Sequence, residues 1–514
     1  MTPGIPASPH LPTGIAMRRA WAYVLAGIDH DPRAIHRGML RSFDPAKGSW
    51  VKPYPEVTGY AIRGMLEAGR ILRDDRLHGA ALEMGRALLR LQVLKGPATG
   101  AVPAADLLPQ YYTFDTAQAL EGLISLHNHT PDSEFLDGAV RAGEFCLTLQ
   151  EPKGSFLPAV IDGKPYTPRG DEDWGLRRSY IQLRGSTGWH ALSRATGDSR
   201  FARMAVSCRE WVLSEINELY PHGMLPPCRP ADGRSRLRSL FPFRRPKLPE
   251  RATYSHPGAY VVRGLVEDFL ATGEPRSLKQ ACRIVKASVL PWVDDNGYLP
   301  YGVSLDGKHA PVTGFSYVSG EPQYAWVLYR LWQLVGEEEF LKTADRLLLY
   351  AARVQGHAAQ GAEGGLHQYA GPTGEPRGEI HGQLHVWGTK FFAEALMLQQ
   401  EILSARNAAP GRTVQLVAPW AMWVVQESAP PASPDRDTSD LSFRAVFGSG
   451  PVTLSVRPAC EALSVRDESG READVQAIPG LPGLFRLEVH SGEVWSVTAK
   501  SSASSPLQPP QDTP

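Results

Sequence analysis

The sequence has few cysteines and no long apolar run. Its five cysteines, Cys146, Cys208, Cys228, Cys282 and Cys460, show no CxxC spacing, so we expect neither a zinc site nor a disulfide framework. No uninterrupted apolar stretch has the length of a membrane span. The N-terminal segment lacks a basic start followed by an apolar core, so it does not indicate a secretory signal. These absences predict a cytoplasmic protein without a membrane span.

The charge is balanced, with 54 Lys plus Arg against 54 Asp plus Glu. No net field therefore favours nucleic acid or a membrane surface as a partner. No glycine-rich phosphate-binding loop occurs in the sequence, and we expect no cofactor. At 514 residues the chain is too long for one ordinary core, which indicates one large domain and a smaller one.

A Gly-x-apolar-Pro turn recurs along the first ~400 residues, at intervals of roughly 55 to 75. Copies occur at 100–103, 154–158, 223–226 and 297–300, and residues 364–367 form a looser fifth copy. Each follows an amphipathic segment and precedes a loop that leads into another. A period of this length carries two helices, so the repeating unit is a helical hairpin.

Apolar residues spaced three and four apart, with capping signals, predict twelve helices. Six read as outer helices, at about 15–28, 76–94, 133–150, 199–217, 276–290 and 338–354. Six others carry small residues and aromatics around most of their circumference and are interpreted as inner helices, beginning in the segments 55–66, 113–123, 182–192, 254–265, 319–331 and 379–392. Strict alternation predicts a mainly α fold, an (α/α)6 toroid over 15–404 that follows a flexible 1–14. All inner helices then begin at one end, around a cleft.

The pattern changes to short alternating runs from about residue 410. Eight such runs, separated by Gly, Pro, Ser and Asp, predict a small β-sandwich over 410–499. The Ser/Pro-rich residues 500–514 read as a disordered tail. Residues 229–251 form a strongly basic insertion, which is either a solvated loop or a lid that contacts an anionic ligand.

The inner-helix segments resemble the six-hairpin glycosidase-like superfamily, which includes unsaturated glucuronyl hydrolases, and the helical domain of glucuronyl C5-epimerases. More narrowly, PEVTGY (55–60), FDTAQAL (114–120) and WGTKFFAEAL (387–396) resemble a bacterial family found with polysaccharide-synthesis genes. The resemblance spans about 50–404. In that family the fifth inner helix opens on Thr-Gly-Asn-Ala-Gln, whereas here it opens on Ser-Gly-Glu-Pro-Gln at 319–323, which adds a carboxylate.

Sugar chemistry needs carboxyl groups that donate and accept protons. Glu56, Asp115 and Glu321 each stand where an inner helix is predicted to begin, so we expect them to be catalytic, to share one cleft and to include at least one raised pKa. The glucuronyl hydrolases that the sequence resembles use an Asp at such a position as acid and base, which implies that role for Asp115. The competing interpretation for all three is helix capping.

Polar and aromatic residues near the same openings are candidate sugar-binding groups, although aromatics at helical spacing are often core. They are Tyr111, Tyr112, Trp174, Trp189, Tyr254, His256, Tyr317, Gln323, His381, Trp387 and Lys390. His381 and His385 have a spacing that can bind a metal, but no third ligand is evident, and we expect no metal.

The expected function is a carbohydrate-active enzyme that processes a polysaccharide or oligosaccharide containing uronic acid. Hydrolysis and β-elimination both remain open, because both use acids with Tyr or His in an open cleft. The alternative is an enzyme resembling glucuronyl C5-epimerases, or a non-catalytic glycan-binding toroid in polysaccharide biosynthesis.

Overall fold

The computed structural model describes residues 13–29, 31, 36, 38–168, 174–220, 252–304, 311, 313–356, 361–377, 382–408, 413–418, 423–427, 438–447, 450–457, 462–490 and 493–500. Twelve α-helices lie in these ranges. They are α1 Thr13–Ala26, α2 Pro55–Leu72, α3 Asp75–Leu91, α4 Thr113–His129, α5 Ser133–Leu149, α6 Ser186–Thr196, α7 Ser199–Leu219, α8 Ser255–Thr272, α9 Pro275–Ser288, α10 Gly320–Val335, α11 Glu338–Gly356 and α12 Val386–Ala408.

The helices form two concentric rings. The even-numbered helices α2, α4, α6, α8, α10 and α12 contact one another in turn, and α12 returns to α2 to close the inner ring. Each outer helix packs on an inner one, and α1 packs on α12, so the first and last helices complete the sixth hairpin. The predicted (α/α)6 toroid is therefore confirmed, with all six hairpins formed.

Four of the recurring glycine turns contact the next outer helix within the described residues. Gly100, Gly154, Gly297 and Gly364 have φ angles of 92°, 93°, 81° and 96°, which favour glycine. A Cβ on any of them would overlap a backbone carbonyl of the following outer helix, at Arg141, Ser207, Arg346 and Arg19 respectively. The repeat therefore marks the points where two backbones touch. The copy at 223–226 lies outside the described residues.

A repeated glutamine completes three of these junctions. The Gln92 amide donates to the carbonyl oxygens of Gly100 and Gly138, both at 2.9 Å. Gln150 makes the same pair of bonds to Gly154 and Met204, and Gln355 makes them to Gly364 and Ala16. The second acceptor of each glutamine lies in the next outer helix, three residues before the carbonyl that faces the glycine. These acceptors are Gly138, Met204 and Ala16, and the facing carbonyls belong to Arg141, Ser207 and Arg19. One side chain thus satisfies two buried carbonyl groups and fixes the register between neighbouring hairpins.

Short strands cover the end of the ring where the inner helices begin. Most have two or three residues: β1 Ser42–Asp44, β2 Ser49–Trp50, β3 Gln110–Tyr112, β4 Ala159–Ile161, β5 Lys164–Pro165, β6 Ala252–Tyr254, β7 Gly302–Ser304, β8 Ser316–Tyr317, β9 Leu366–His367, β10 Tyr369–Ala370 and β11 Leu384–His385. They form four small antiparallel sheets, ordered β2-β1-β11-β9, β10-β8, β3-β4-β5 and β6-β7. These sheets were not predicted, because their strands are too short to show an alternating pattern. They fix the loops beside the inner-helix N-termini.

Two inner-helix starts differ from the prediction. The α-helix predicted from 182 begins at Ser186, because Tyr180–Gly185 form a 3-10 helix. The helix predicted from 379 begins at Val386, after strand β11. Hydrophobic periodicity cannot distinguish a short strand or a 3-10 turn from the first turn of an α-helix.

The C-terminal region forms the predicted β-sandwich. Its eight strands are β12 Thr413–Val417, β13 Trp423–Glu427, β14 Thr438–Phe447, β15 Gly450–Arg457, β16 Ala462–Asp467, β17 Gln476–Ala477, β18 Leu484–Val489 and β19 Val494–Lys500. They make two four-stranded antiparallel sheets, ordered β12-β15-β18-β17 and β13-β14-β19-β16. Leu454 and Leu487 of the first sheet and Val497 of the second share one apolar core.

The sandwich packs against the end of the toroid opposite the inner-helix N-termini. Val417, Ile478 and Leu484 belong to the core of the toroid rather than to that of the sandwich. The Arg486 guanidinium donates to the Ala271 carbonyl at 2.9 Å, at the C-terminal end of α8. A cation there also interacts favourably with the helix dipole. Among the described helices, none is long and apolar enough to cross a membrane.

Candidate active site

Glu56 and Asp115 form a carboxyl pair at the centre of the toroid. Glu56 lies in the first turn of α2 and Asp115 in the first turn of α4, and these two inner helices pack directly on each other. Close packing is possible because Gly59 of α2 touches the α4 backbone at Gln118. Each carboxyl residue retains 6% exposure. Both side chains are thus buried, and each keeps a small exposed area.

Burial raises the pKa of both carboxyl groups of this pair. Desolvation raises the pKa of Glu56 to about 7, against the opposing effects of a hydrogen bond from the Tyr54 hydroxyl and the charge of Arg41. Desolvation also raises the pKa of Asp115 well above its ordinary value, and the negative charge of Glu56 raises it further. The expected upward shift is therefore confirmed. Glu56 therefore titrates near pH 7.

Phenol rings surround the pair. Tyr60 stacks on Phe391 at 5.4 Å between ring centroids, and Tyr260 lies 5.2 Å from Phe114. Tyr54 meets Trp387 edge to face at 6.0 Å. Burial raises the pKa of all three tyrosine hydroxyls, so they stay neutral and act as hydrogen-bond donors. The pair therefore sits in an aromatic cup that carries several hydroxyl groups.

His256 of α8 and Gln323 of α10 form a buried hydrogen-bonded pair. The Gln323 amide nitrogen donates to the Ser319 carbonyl at 3.0 Å and contacts His256 Nδ1 at 2.8 Å. Because the carbonyl accepts only, the amide nitrogen must face it, and its second hydrogen then points at Nδ1. His256 is thereby held as the tautomer with hydrogen on Nε2. Burial lowers the pKa of His256 to about 3, so it is a neutral donor.

Tyr317 links this pair to the last inner helix. Its ring stacks on His256 at 4.8 Å and lies 6.1 Å from His385, and Tyr369 meets it edge to face at 5.1 Å. His385 in turn contacts Trp387 at 3.7 Å. His256, Tyr317 and Trp387 retain 8%, 9% and 6% exposure, so each is buried with a small exposed area. Flat rings of this kind offer a surface on which a pyranose can stack.

Glu321 lies apart from Glu56 and Asp115, so the structure does not support the expectation of one shared cleft. Its carboxylate accepts a hydrogen bond from the Ser316 hydroxyl and has no exposed surface. Ser316 and Tyr317 are adjacent in β8, and adjacent strand residues point to opposite faces. Tyr317 faces His256, so Glu321 lies on the other face, where its charge acts on Tyr298 and Tyr350. Burial raises the pKa of Glu321 to about 8.

The other predicted binding residues divide into three groups. Trp189 is fully buried and stacks on Phe156 at 5.2 Å, so the structure places it in the core instead of the cleft. Tyr254, at the end of β6, packs on Tyr301 at 5.2 Å, near Tyr317. Tyr111 and Tyr112 are partly exposed in β3, directly before α4. For Trp174 only the backbone is described, in a 3-10 helix, and His381 lies outside the described residues, as does the basic insertion 229–251.

Lys390 lies deeper, in a buried charge network along the ring axis. Its ammonium is 2.7 Å from the Glu394 carboxylate, which also lies 3.3 Å from the Arg263 guanidinium. Burial lowers the pKa of Lys390 to about 7. Arg184 and Glu121 form a second fully buried pair at 2.8 Å. These ion pairs lie between inner helices, so the centre of the toroid carries buried charges.

Sequence reasoning missed Arg41, Tyr54, Tyr60 and Tyr260 as members of the site. Tyr54 and Tyr60 flank Glu56 in sequence, and their spacing around an acid was a usable signal. Arg41 had none, because its position depends on pairing between strands that are distant in sequence. Within the described residues no group of three or more His, Cys, Asp or Glu side chains could hold a metal.

Comparisons with solved structures identify the fold. Cellobiose 2-epimerase from Bacillus thermoamylovorans matches 75% of this chain and 98% of its own, with a TM-score of 0.55 and 12% identity. An unsaturated glucuronyl hydrolase from a Bacillus species matches 76% and 98%, with a TM-score of 0.53 and 14% identity. A GH76 α-mannanase from Bacteroides thetaiotaomicron matches 77% and 98%, with a TM-score of 0.54 and 10% identity.

Comparisons at the sequence level give no further information. No protein-family model and no curated protein matches this sequence. The structural neighbours share 15% identity or less, so the likeness concerns the fold. By their names these neighbours act on carbohydrates, and their shared architecture is that of six-hairpin enzymes. The chain therefore has the (α/α)6-toroid fold of enzymes with several different carbohydrate chemistries.

Proposed function

We propose that this protein is a carbohydrate-active enzyme that hydrolyses a glycan at the Glu56–Asp115 pair. The observation that carries the proposal is the position of two buried carboxyl groups on adjacent inner helices, where each retains some exposure. Glycoside hydrolysis needs one carboxyl group held as an acid and a second that is ionised. The toroid, residues 15–404, would be the catalytic domain, with 410–499 as an accessory sandwich.

The electrostatics suggest a role for each carboxyl group. Asp115, whose pKa is raised by burial and by the negative charge of Glu56, would protonate the glycosidic oxygen as the C–O bond breaks. Glu56, with a pKa of about 7, would accept a proton from the attacking water as the new C–O bond forms. Turnover should therefore increase as the pH rises through 7, because Glu56 must be ionised. It should decrease at higher pH, once Asp115 loses its proton.

The surrounding rings would hold the sugar. Tyr317 and Trp387 offer partly exposed faces for stacking, and the Nε2 hydrogen of His256 can donate to a hydroxyl or carboxylate oxygen. Gln323 supports this donor by fixing the histidine tautomer. These contacts would orient the bond to be cleaved above Glu56 and Asp115.

A second candidate function is epimerisation of a sugar. The ring of His385, 6.1 Å from Tyr317, favours it, because an imidazole can remove and return a proton at carbon, while His256, 4.8 Å from Tyr317, would hold the sugar as an Nε2–H donor. In this case the glycan chain would stay intact, and the product would have the mass of the substrate.

One experiment separates these possibilities. The purified full-length chain is incubated with a panel of neutral and uronic-acid-containing oligosaccharides in heavy-oxygen water and, separately, in D2O, and the products are analysed by mass spectrometry. Hydrolysis gives shorter products that contain one heavy oxygen. β-Elimination gives an unsaturated product without it, and epimerisation gives an uncleaved product that carries deuterium at carbon. Products of hydrolysis support the proposal, and either other product refutes it.

The assignment to the pair is tested with matched variants. Glu56→Gln and Asp115→Asn keep the side-chain size but remove the base and the acid, so both should lose turnover. Glu134→Gln is the control, because Glu134 also lies in the first turn of a helix and is exposed. Full turnover by Asp115→Asn would place the chemistry elsewhere.

A further inference from the structure

Arg41 lies at the mouth of the carboxyl pair, held there by its backbone. Its amide nitrogen donates to the Lys52 carbonyl at 3.0 Å, and its carbonyl accepts from the Val386 amide at 3.3 Å. The next residue, Ser42, pairs with His385 of β11. Two segments thus hold the Arg41 backbone. One leads to Tyr54 and Glu56, and the other is the first turn of α12, which carries Trp387. These two segments meet at the contact of Tyr54 with Trp387, 6.0 Å between ring centroids.

The Arg41 guanidinium acts on three side chains of the site. Its positive charge lowers the pKa of Glu56, of Tyr317 and of Tyr369. These residues come from α2, β8 and β10, three different elements around the mouth. The guanidinium therefore lies near all three side chains, and its Nε is inaccessible to solvent.

Within the described part of the chain, the guanidinium has no bonded partner. Arg41 is half-buried, and its Nε is inaccessible to solvent and makes no hydrogen bond to a described residue. Arg184 and Arg263 also have an Nε without a hydrogen-bond partner, but each of their guanidinium groups is ion-paired, with Glu121 and Glu394 respectively. A buried guanidinium nitrogen without an acceptor is costly, because it loses hydration and gains nothing in return. Arg41 is thus a donor that a ligand can satisfy.

We propose that Arg41 is a specificity residue that binds the carboxylate of an acidic sugar, a hexuronate, placed over Glu56 and Asp115. The inference rests on the proposed function and names its substrate class. A guanidinium presents parallel N–H groups that match a carboxylate in two bonds, whereas the neutral CH2OH group of a hexose cannot make a charged pair. Tyr317 and Tyr369, beside Arg41, supply ring faces for the same sugar.

A competing role for Arg41 is purely electrostatic. Its charge favours the ionised form of Glu56, so it could adjust the base without touching substrate. The two roles differ in what they discriminate. An electrostatic role affects acidic and neutral sugars alike and changes the pH profile, whereas a carboxylate contact affects the binding of acidic sugars only.

The test measures binding of two sugars that differ only at C6, methyl β-D-glucuronide and methyl β-D-glucoside, to the full-length protein. Calorimetry or ligand-observed NMR gives Kd for the wild type, Arg41→Gln, Arg41→Lys and the control Lys52→Gln. Lys52 is an exposed cation on the paired segment, so its removal changes net charge equally without emptying the site. Loss of a charged hydrogen-bonded pair weakens binding by roughly 10- to 100-fold.

We expect the wild type to prefer the glucuronide and Arg41→Gln to lose that preference, while Lys52→Gln keeps it. Arg41→Lys should keep part of the preference for the glucuronide, since an ammonium keeps the positive charge but lacks the parallel N–H groups of a guanidinium. Equal weakening of both sugars, or no preference in the wild type, overturns the inference. If the glycan panel is turned over without any dependence on Arg41, this inference fails and the proposed function stands. If the glucuronide binds through Arg41 but no glycan is processed, the carboxylate site stands and the enzymatic proposal fails.

Discussion

Glu321 offers a sharp test of the site assignment, because its carboxyl group should be structural and protonated. Its pKa of about 8 in the folded chain lies well above the ordinary value of 4.5. The folded state then binds a proton that the unfolded state releases between these two values. The free energy of unfolding must therefore decrease as pH rises from about 4.5 to about 8. At ~1.4 kcal/mol per pH unit, the full loss is roughly 5 kcal/mol, as an upper bound.

Glu321→Gln should remove this loss. Glutamine is neutral at every pH, and its carbonyl oxygen can accept the Ser316 hydrogen bond that the carboxyl group accepts now. At pH 5 the variant and the wild type should have nearly equal stability. At pH 8 the variant should be more stable by roughly 3 to 4 kcal/mol. The variant is more stable at pH 8 because folding of the wild type at that pH has a cost that glutamine avoids. The wild type must either bury an ionised carboxylate or take up a proton from a solution in which protons are scarce.

The measurement is urea unfolding, followed by tryptophan fluorescence, at pH 5, 6.5 and 8. The difference between variant and wild type at each pH cancels the titration of other groups, including Glu56 and Lys390. Glu134→Gln, at an exposed carboxyl, should show no such trend. A constant difference across pH would refute the structural reading of Glu321. Loss of turnover by Glu321→Gln, with unchanged stability, would restore it as a catalytic candidate.

Three further predictions follow from the packing. Gly154→Ala should decrease the free energy of unfolding by about 3 kcal/mol or more, because the new Cβ would overlap the Ser207 carbonyl. The control is Gly197→Ala, which has a similar φ but open space around it and should cost only about 1 kcal/mol. Thermal unfolding measures both. Glu394→Gln should decrease the free energy of unfolding by about 3 to 5 kcal/mol, because Arg263 and Lys390 would be buried cations without their anion. Glu401→Gln, at an exposed carboxylate of the same helix, should cost under about 1 kcal/mol in the same assay. In nitrogen NMR spectra His256 should stay a neutral Nε2–H tautomer from pH 5 to 8, since burial lowers its pKa to about 3; protonation near pH 6 would contradict the hydrogen-bond assignment.

The fold was predictable because its signals are local and repeated. The glycine turns at 100, 154, 297 and 364 show in the sequence at regular intervals, and the structure supplies their reason in contacts with the next outer helix. The glutamines at 92, 150 and 355 follow the same period and could have been found with the turns. Repetition of this kind determines how many hairpins form and how they join.

The site was predictable only in part, because a position near a helix opening does not determine which face a side chain occupies. Glu56 and Asp115 face the ring centre, but Glu321, at an equivalent opening, lies behind β8. Trp189 lies near the start of an inner helix and still packs in the core. The place of Arg41 depends on the pairing of Ser42 with His385, two residues more than 300 positions apart, which no local pattern reveals.

The most direct test of the central claim is the turnover of Asp115→Asn on whichever glycan the wild type processes. If Asp115 is the acid of the pair, kcat should decrease by at least about 100-fold, because a positioned proton donor contributes 10²- to 10⁴-fold to such reactions. Glu134→Gln, measured in parallel, should match the wild type. Retention of wild-type kcat by a correctly folded Asp115→Asn protein would contradict the account, because the buried carboxyl pair would then not perform the chemistry.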